Sequence, residues 1–505
     1  MSFLRNSAFN FVGGLLPAVA LFATIPIILH RMGPDAYGAL VLITSIVGYF
    51  GIIDVNATAG TVKYVAQHQA RGEHDEIGRV VSFGLLIYMA IGLAGAAALF
   101  MGSGWLVDSA FKIPLDWRDD ALGALQVSAL AFFFGQLQLF LQSIPQALGR
   151  FDLSGQFDAL FGTLVPLATI AVVLGGGGLT AIVITRLVLS VCHCTALLVA
   201  VRRLLPGLRL RRPDRATTRK VASFSAFSYL QRLASVTYLN ADKLLIGAQQ
   251  SMSALATYVV PYTLVSRVFA LVQRLMQAIF PLSSQLNARG DRAALKATFI
   301  YVSRYITFLN IGLCLTLAIF ARELLTYWLH AKPDSRAVLI LITVAYGLFI
   351  ESLSNVPSLV NDGLGRPHIT GAAAVLRVGA GVLAAWWALQ WGGIVEVALS
   401  QFVVSLVFVT GFLVFVHRRS LPWTLGEVAG QVYGFNFIVL TLGTALVAWR
   451  WHEPVLAFWH FVVALLLLLM LLGILGWAVV LLPEHRQRLR EVLAPRFLNK
   501  LRLRP

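Results

Sequence analysis

Charge is scarce in this chain of 505 residues. Asp, Glu, Lys and Arg together make up 12% of it, against about 25% in an ordinary soluble domain. With 58% hydrophobic residues, the chain has too little polar surface to cover itself in water. That excludes a soluble enzyme and a disordered tail. Acid is the scarcer sign, 23 Asp and Glu against 40 Lys and Arg, for a net charge of +17. Such an excess marks nucleic acid, an anionic membrane surface or an anionic ligand, depending on where the cations sit. Cysteine is scarcer still. Cys192, Cys194 and Cys314 lie in apolar runs, so no disulfide framework is implied. Cys192-His193-Cys194 reads as helix packing, because no further Cys or His cluster completes a tetrahedral metal site. No metal and no cofactor is expected. What the chain has in abundance is long apolar runs, the mark of a polytopic membrane protein.

A spanning helix needs about 20 mostly apolar residues. Fourteen segments qualify, near 8–29, 37–62, 80–101, 121–147, 157–175, 179–200, 222–247, 253–285, 298–320, 336–360, 369–390, 393–416, 428–449 and 455–482. The expected fold class is an all-α polytopic membrane protein of about 14 transmembrane helices. Ala18-Val19-Ala20 resembles a signal-peptide cleavage site, but the apolar run continues past it to Leu29, which favours a signal anchor. The glycines at 175–178 read as a tight turn, since no Lys-Ser/Thr follows to make a phosphate loop.

Placing the N-terminus inside puts 26 Lys and Arg in inside segments, 7 in outside loops and 7 within spans. That asymmetry places both termini in the cytoplasm. Most of the net charge therefore reports orientation, and nucleic acid is not expected as a partner.

The halves repeat. Leu148-Gly149-Arg150 recurs as Leu364-Gly365-Arg366, and Ala70-Arg71-Gly72-Glu73 as Ala288-Arg289-Gly290-Asp291, at shifts of 216 and 218. Ser154-Gly155 and Gly176-Gly177 recur at the first shift as Thr370-Gly371 and Gly392-Gly393. Both copies of each inside motif stay inside, so the repeats run parallel. The expected organisation is a six-helix lobe at 1–205, a basic cytoplasmic linker at 206–221 and a second six-helix lobe at 222–418. Two additional helices at 419–484 and a basic cytoplasmic tail at 485–505 follow.

Met32-Gly33-Pro34-Asp35-Ala36-Tyr37-Gly38, with Asp54 late in the second span, resembles the N-terminal signature of the polysaccharide biosynthesis proteins. These are the Wzx-type oligosaccharide flippases of the multidrug/oligosaccharidyl-lipid/polysaccharide exporter superfamily. Ala241-Asp242-Lys243-Leu244-Leu245-Ile246-Gly247 and Ala256-Thr257-Tyr258 resemble the matching C-terminal signature, and the two Leu-Gly-Arg motifs resemble family positions at cytoplasmic helix ends. Asn56 stands where the family usually has Gly. The resemblance implies a flippase, not an enzyme, in the bacterial inner membrane. Its substrate would be a polyprenyl-diphosphate-linked oligosaccharide for cell-surface polysaccharide such as O-antigen or exopolysaccharide. Membrane lipids, and a polysaccharide polymerase with chain-length machinery, would be its partners.

The cations within spans are Arg186, Arg232, Lys243, Arg267, Arg274, Arg304 and Arg377. Each costs about 2.5–3.5 kcal/mol at a helix centre on insertion scales, so each needs water, a partner or a ligand. Arg186, Lys243 and Arg304, nearer the ends, can snorkel. The acids within spans, Asp54, Asp158, Asp242, Glu351 and Glu396, are too few to pair with all seven. Arg267 and Arg274, seven apart, share one helix face, as do Arg232 and Lys243, eleven apart. A guanidinium fork suits a diphosphate, which makes Arg267, Arg274, Arg232, Arg377, Lys243 and Arg304 the candidate substrate residues. Asp242 with Lys243 also reads as a local pair. Asp54 and Glu351 are the candidates for coupling to H⁺ or Na⁺. Pro17, Pro26, Pro261 and Pro281 supply bends.

Two rivals remain. A drug/cation antiporter of the same superfamily would want a net acidic cavity. A membrane-embedded polymerase or ligase would want catalytic groups in an outside loop, for which Asp108, Asp116, Asp119 and Asp120 are the only acids near 102–120.

Overall fold

A computed structural model describes the backbone of residues 2–54, 57–212, 215–276 and 279–487. Side chains are described for these residues apart from 2–15, 57, 215–228, 230, 231, 274 and 275. Nearly all of the expected tail, and the side chain of Arg274, lie outside the described residues.

Among them are seventeen α-helices and no strand. They are α1 (Ser2–Phe50), α2 (Ala57–Ala70), α3 (His74–Trp105), α4 (Leu115–Ala147), α5 (Phe151–Leu174), α6 (Leu179–Leu204), α7 (Arg215–Gln249), α8 (Met252–Met276) and α9 (Ile279–Ala288). Then follow α10 (Arg292–Ile319), α11 (Ala321–Leu329), α12 (Ser335–Ser352), α13 (Asn355–Gly363), α14 (Pro367–Trp391), α15 (Ile394–Arg419), α16 (Leu425–Arg450) and α17 (Phe458–Leu475).

Among the described residues, twelve helical stretches are long and apolar enough to cross a membrane, where fourteen were expected. One of the twelve holds two expected spans, because α1 turns at Gly33 (φ 84°, ψ 171°) and Pro34 restarts the helix beyond it. The other shortfall is α7, whose polar residues lower its hydropathy although it is a helix of 35 residues. The expected linker is itself helical from Arg215 onward. The spans expose rows of apolar side chains, as along α17 at Leu466, Leu467, Met470 and Leu471. A water-soluble chain does not expose so contiguous an apolar surface. This is a multi-pass membrane protein.

The repeated motifs have the same backbone in both halves. In Leu148-Gly149-Arg150, Gly149 N–H donates to Gln146 O (3.0 Å) and Arg150 N–H to Pro145 O (2.9 Å). In Leu364-Gly365-Arg366, Gly365 N–H donates to Asp362 O (3.0 Å) and Arg366 N–H to Asn361 O (3.2 Å). Both are Schellman caps, which need a left-handed residue just past the helix, and Gly149 and Gly365 supply it at φ 72° and 82°. Gly72 and Gly290 close α2 and α9 with the same pattern of bonds. Arg366 then reaches further, donating to the carbonyls of Arg419 (3.1 Å) and Ser420 (3.0 Å) at the end of α15.

Packing divides the chain into two units: residues 1–260 with 374–397, and residues 261–373 with 398–505. In the first, a core of Val65, Ile77, Val80, Tyr88, Phe140, Ile144 and Leu197 joins α2, α3, α4 and α6. His193 is buried beside it, its ring stacked on Phe161 at 4.1 Å. In the second, Phe299, Val360, Val416, Trp423 and Val428 join α10, α13, α15 and the start of α16.

The two additional helices are fastened to the second unit at both ends. Near one end Arg304 donates to Val479 O (2.5 Å) and Tyr305 meets His485 (2.8 Å). At the other, the turn between α16 and α17 is clamped by α11. Glu323, 1% exposed, accepts from Arg450 and from the Leu456 N–H (3.0 Å). Arg322 donates to the Trp451 and Glu453 carbonyls and lies over the Trp451 ring at 4.9 Å. Breaking a buried pair leaves an uncompensated charge, costing about 3–5 kcal/mol. Glu323→Gln is therefore expected to lower unfolding stability in detergent by that order. The double variant Glu323→Leu/Arg450→Met is expected to recover most of the loss.

Candidate functional site

Within the first unit, α7 packs antiparallel against the second half of α1 along a seam built on small residues. At one end Gly38 lies against the backbone carbonyl of Met252, so close that a Cβ there has no space. Next, Leu42 fills the space over Gly247, and the Asn240 amide lies over Gly48. At the other end Arg232 and Val236 reach Gly51. Glycines let helix backbones approach closely in a membrane, which gives this motif glycine a packing role. The Met252 end is also tied to the turn before α4. Lys112 donates its N–H to Gly247 O (3.1 Å) and its Nζ to Gln249 O (2.6 Å). Gln390 of α14 donates to the Gln249 side chain (2.8 Å).

Asp54 stands where α1 ends, at the far end of the seam. It is 1% exposed and accepts the Tyr88 hydroxyl at 2.7 Å. Tyr88 is held by stacking on Phe140 and by the Thr58 N–H. Arg232 Nε lies 3.8 Å from Asp54 Oδ2, an ion pair longer than a hydrogen bond. Nε makes no hydrogen bond among the described residues. The carboxylate is therefore gripped by a tyrosine and only loosely by the cation.

Asp242 is held in a similar way. Its Oδ2 accepts the Tyr258 hydroxyl (2.9 Å) and its Oδ1 the Lys243 N–H (2.8 Å). The Lys243 ammonium turns back to the Leu239 carbonyl, 3.8 Å from Asp242. Arg377 lies over the Tyr238 ring at 4.5 Å, a cation–π contact. Arg232, Lys243 and Arg377 thus all have partners inside the first unit.

The second unit holds Arg267, Arg304 and Glu351. Arg304 is spent on the Val479 carbonyl, and Glu351 accepts the Ser405 hydroxyl at 2.8 Å. Arg267 is different. It is exposed and makes no ion pair or hydrogen bond among the described residues. The exposed positions of α8 around it are Ala270 and Gln273, while Val265, Phe269, Val272 and Met276 are buried. No large apolar side chain of α8 is exposed among the described residues. Membrane helices that meet lipid do the reverse, as α17 does. A polar exposed face on a spanning helix is the face of a water-filled or ligand-filled cavity.

The sequence alone did not reveal Tyr88 and Tyr258 as the partners of Asp54 and Asp242. A phenol inside an apolar run is itself a signal, because a buried hydroxyl needs a hydrogen bond. It missed Lys112 as well, since the loop gives no hint of α7. Asp120, a candidate for loop chemistry, instead accepts the N–H groups of Leu179 (2.6 Å) and Thr180 (2.9 Å) at the start of α6. That is a helix-capping role. Among the described residues no group of three His, Cys, Asp or Glu could hold a metal ion.

The family model of the polysaccharide biosynthesis proteins matches residues 27–332. A Shigella flexneri protein named an O-antigen transporter is 28% identical over 108 residues, which cover 21% of this chain and 25% of the relative. The uncharacterized membrane protein EpsK of Bacillus subtilis (strain 168) is 20% identical over 366 residues, 71% of each chain. Among solved structures, the lipid II flippase MurJ in an inward closed conformation matches with a TM-score of 0.71 at 11% identity. That match covers 92% of this chain and 98% of MurJ. An inward-facing multidrug resistance MATE family transporter matches at 0.68 and 12% identity, covering 87% and 98%. Likeness at these identities shows a shared fold.

Proposed function

The chain belongs to the polysaccharide biosynthesis protein family, and from that premise we propose that it translocates a polyprenyl-diphosphate-linked oligosaccharide by alternating access. Transfer runs from the cytoplasmic to the periplasmic leaflet of the bacterial inner membrane, with both termini cytoplasmic and the halves 1–205 and 222–418 as the moving lobes. The lipid tail stays in the bilayer while the sugar and diphosphate cross in water. The product passes to polymerase and chain-length machinery. No bond is made or broken in the cycle, so the protein is a carrier and not an enzyme.

One observation carries this reading: the exposed face of α8, where Arg267 has no ion pair or hydrogen bond among the described residues. An unpaired guanidinium in a spanning helix is costly unless water or an anion meets it, and its planar fork fits phosphate oxygens bidentately. A cation antiporter would need acid on that face. Of the four loop acids a polymerase would draw on, Asp120 is committed to capping α6.

The seam supplies the moving part. Asp54 joins α1 to α7 through Arg232 at its end, so a proton or Na⁺ arriving there weakens the pair and loosens the seam. Glu351, held by Ser405, is the second coupling candidate. Asp54→Asn mimics the protonated carboxyl and still accepts from Tyr88. It is expected to leave substrate binding intact while transport in proteoliposomes no longer responds to an imposed pH or Na⁺ gradient. A gradient response equal to wild type removes Asp54 from coupling.

Binding tests the substrate. Protein in nanodiscs is expected to bind a polyprenyl-diphosphate sugar in preference to a lipophilic cationic drug. Tight binding of the drug with none of the diphosphate overturns the reading.

A further inference from the structure

Arg186 is an interior cation that the translocation scheme leaves unused. It lies eight residues into α6, close enough to a helix end to suggest snorkelling, but the structure turns it the other way. The buried side of α6 carries Leu179, Ile182, Val183, His193, Leu197 and Val201. Arg186 falls on that stripe, four residues after Ile182 and seven before His193. The side that meets the surroundings runs through Ile184, Val188, Cys192 and Thr195. The guanidinium therefore points into the first unit.

Its partners there are few. Nη1 donates to Thr44 Oγ1 at 3.2 Å, and the Thr44 hydroxyl proton goes to its own helix, at Leu40 O (2.8 Å). Thr44 thus orients the guanidinium without neutralising it. Nε is shut off from solvent and has no acceptor. Among the described residues no carboxylate pairs with Arg186, and its Nη2 makes no hydrogen bond. The edge left empty is the one formed by Nε and Nη2. Elsewhere in this protein that same edge grips an oxyanion: Arg150 and Arg336 present it to both carboxylate oxygens of Asp152 and to Asp334. Tyr37, 6% exposed, lies within electrostatic reach of Arg186. Its hydroxyl has no hydrogen-bond partner among the described residues. A half-buried cation whose Nε is shut off from solvent, with an unfilled bidentate edge and a free phenol beside it, lacks only an anion.

We propose that Arg186, oriented by Thr44 and joined by Tyr37, forms an anion site inside the first unit for a phosphate-type oxyanion. The Nε and Nη2 hydrogens hold two of its oxygens and the Tyr37 hydroxyl donates to a third. The site is distinct from the α8 face, on another helix and in the other unit, and it does not depend on Arg267 binding substrate. It also gives Tyr37, within the motif just past the Gly33 turn of α1, a chemical role beside the packing role of Gly38.

Thermal unfolding in zwitterionic-lipid nanodiscs tests it. The buffer contains no phosphate, and the background is Arg267→Gln so that the α8 face does not respond. Inorganic diphosphate, phosphatidylglycerol and polyprenyl diphosphate are added separately. At least one is expected to raise the Tm, and the one that does identifies the source: a soluble anion, a lipid headgroup or the carrier lipid. Adding Arg186→Met is expected to abolish that rise without lowering the anion-free Tm, because it removes a charge that has no counter-ion. Arg186→Lys keeps the charge and loses the fork, so the midpoint concentration is expected to rise about tenfold. A response that disappears with Arg267→Gln alone overturns the proposal. So does a response that survives Arg186→Met, or the absence of any shift with all three probes.

Discussion

Arg267→Gln is expected to abolish translocation while leaving expression and thermal stability unchanged. The two halves of that expectation come from one fact. Arg267 makes no bond to the described protein, so its removal leaves no buried partner unsatisfied and costs the fold nothing. A charge-assisted hydrogen bond to a phosphate is worth about 1.5–3 kcal/mol, so substrate affinity should fall about 10- to 100-fold. Arg267→Lys, which keeps a point charge without the fork, should restore part of it. Complementation of a strain lacking the protein, with blotted membrane fractions as the expression control, reads both. A purely structural Arg267 would give the opposite pairing: lower protein levels with normal activity per molecule.

Gly38→Ala is expected to be the most damaging small substitution in the first unit. The new Cβ meets the backbone carbonyl of Met252, which cannot move aside as a flexible side chain can. Forcing atoms into a packed contact costs about 1–3 kcal/mol, here charged wholly to the closed seam. A closed seam disfavoured by 1.4 kcal/mol is about tenfold less populated, and a cycle that must close it each time slows accordingly. A single cysteine at Asn240, which faces Gly48 in the seam, should then react faster with a water-soluble maleimide. Gly104→Ala and Gly135→Ala serve as controls, since open space surrounds a Cβ at both positions. Equal maleimide rates in Gly38→Ala and wild type would show that the seam does not open.

Much of this architecture can be read from the sequence because a membrane enforces it. Apolar runs of the required length become helices, and the duplicated Leu-Gly-Arg and Arg-Gly motifs become matching Schellman caps, since only a glycine-friendly turn ends those helices at that register. The span count is less legible. Gly33 turns α1 within a handful of residues, and α7 carries Arg232, Asn240, Asp242 and Lys243, which a hydropathy window penalises and tertiary partners absorb. The site is legible only in part. Spacing selects Arg267, but it cannot separate an unpaired cation from Arg304, whose partner lies 175 residues away at Val479. Asp54 is visible as a buried acid, whereas its link to Tyr88 exists only once α1 and α3 are side by side. Arg186 shows how distance from a helix end misleads. Its periodicity with Ile182, His193 and Leu197, not its nearness to residue 179, decides which way it points.

The central claim is that a lipid-linked diphosphate sugar crosses the bilayer on this protein with Arg267 as its anion contact. The most direct measurement is leaflet exposure in proteoliposomes, using a fluorescent polyprenyl-diphosphate oligosaccharide and a membrane-impermeant quencher. Wild type is expected to equilibrate the probe between leaflets, so that quenching exceeds the outer-leaflet fraction, while Arg267→Gln stays at the protein-free level. Quenching by wild type that never exceeds the protein-free level across several sugar compositions, together with proton-coupled uptake of a cationic drug, would contradict it.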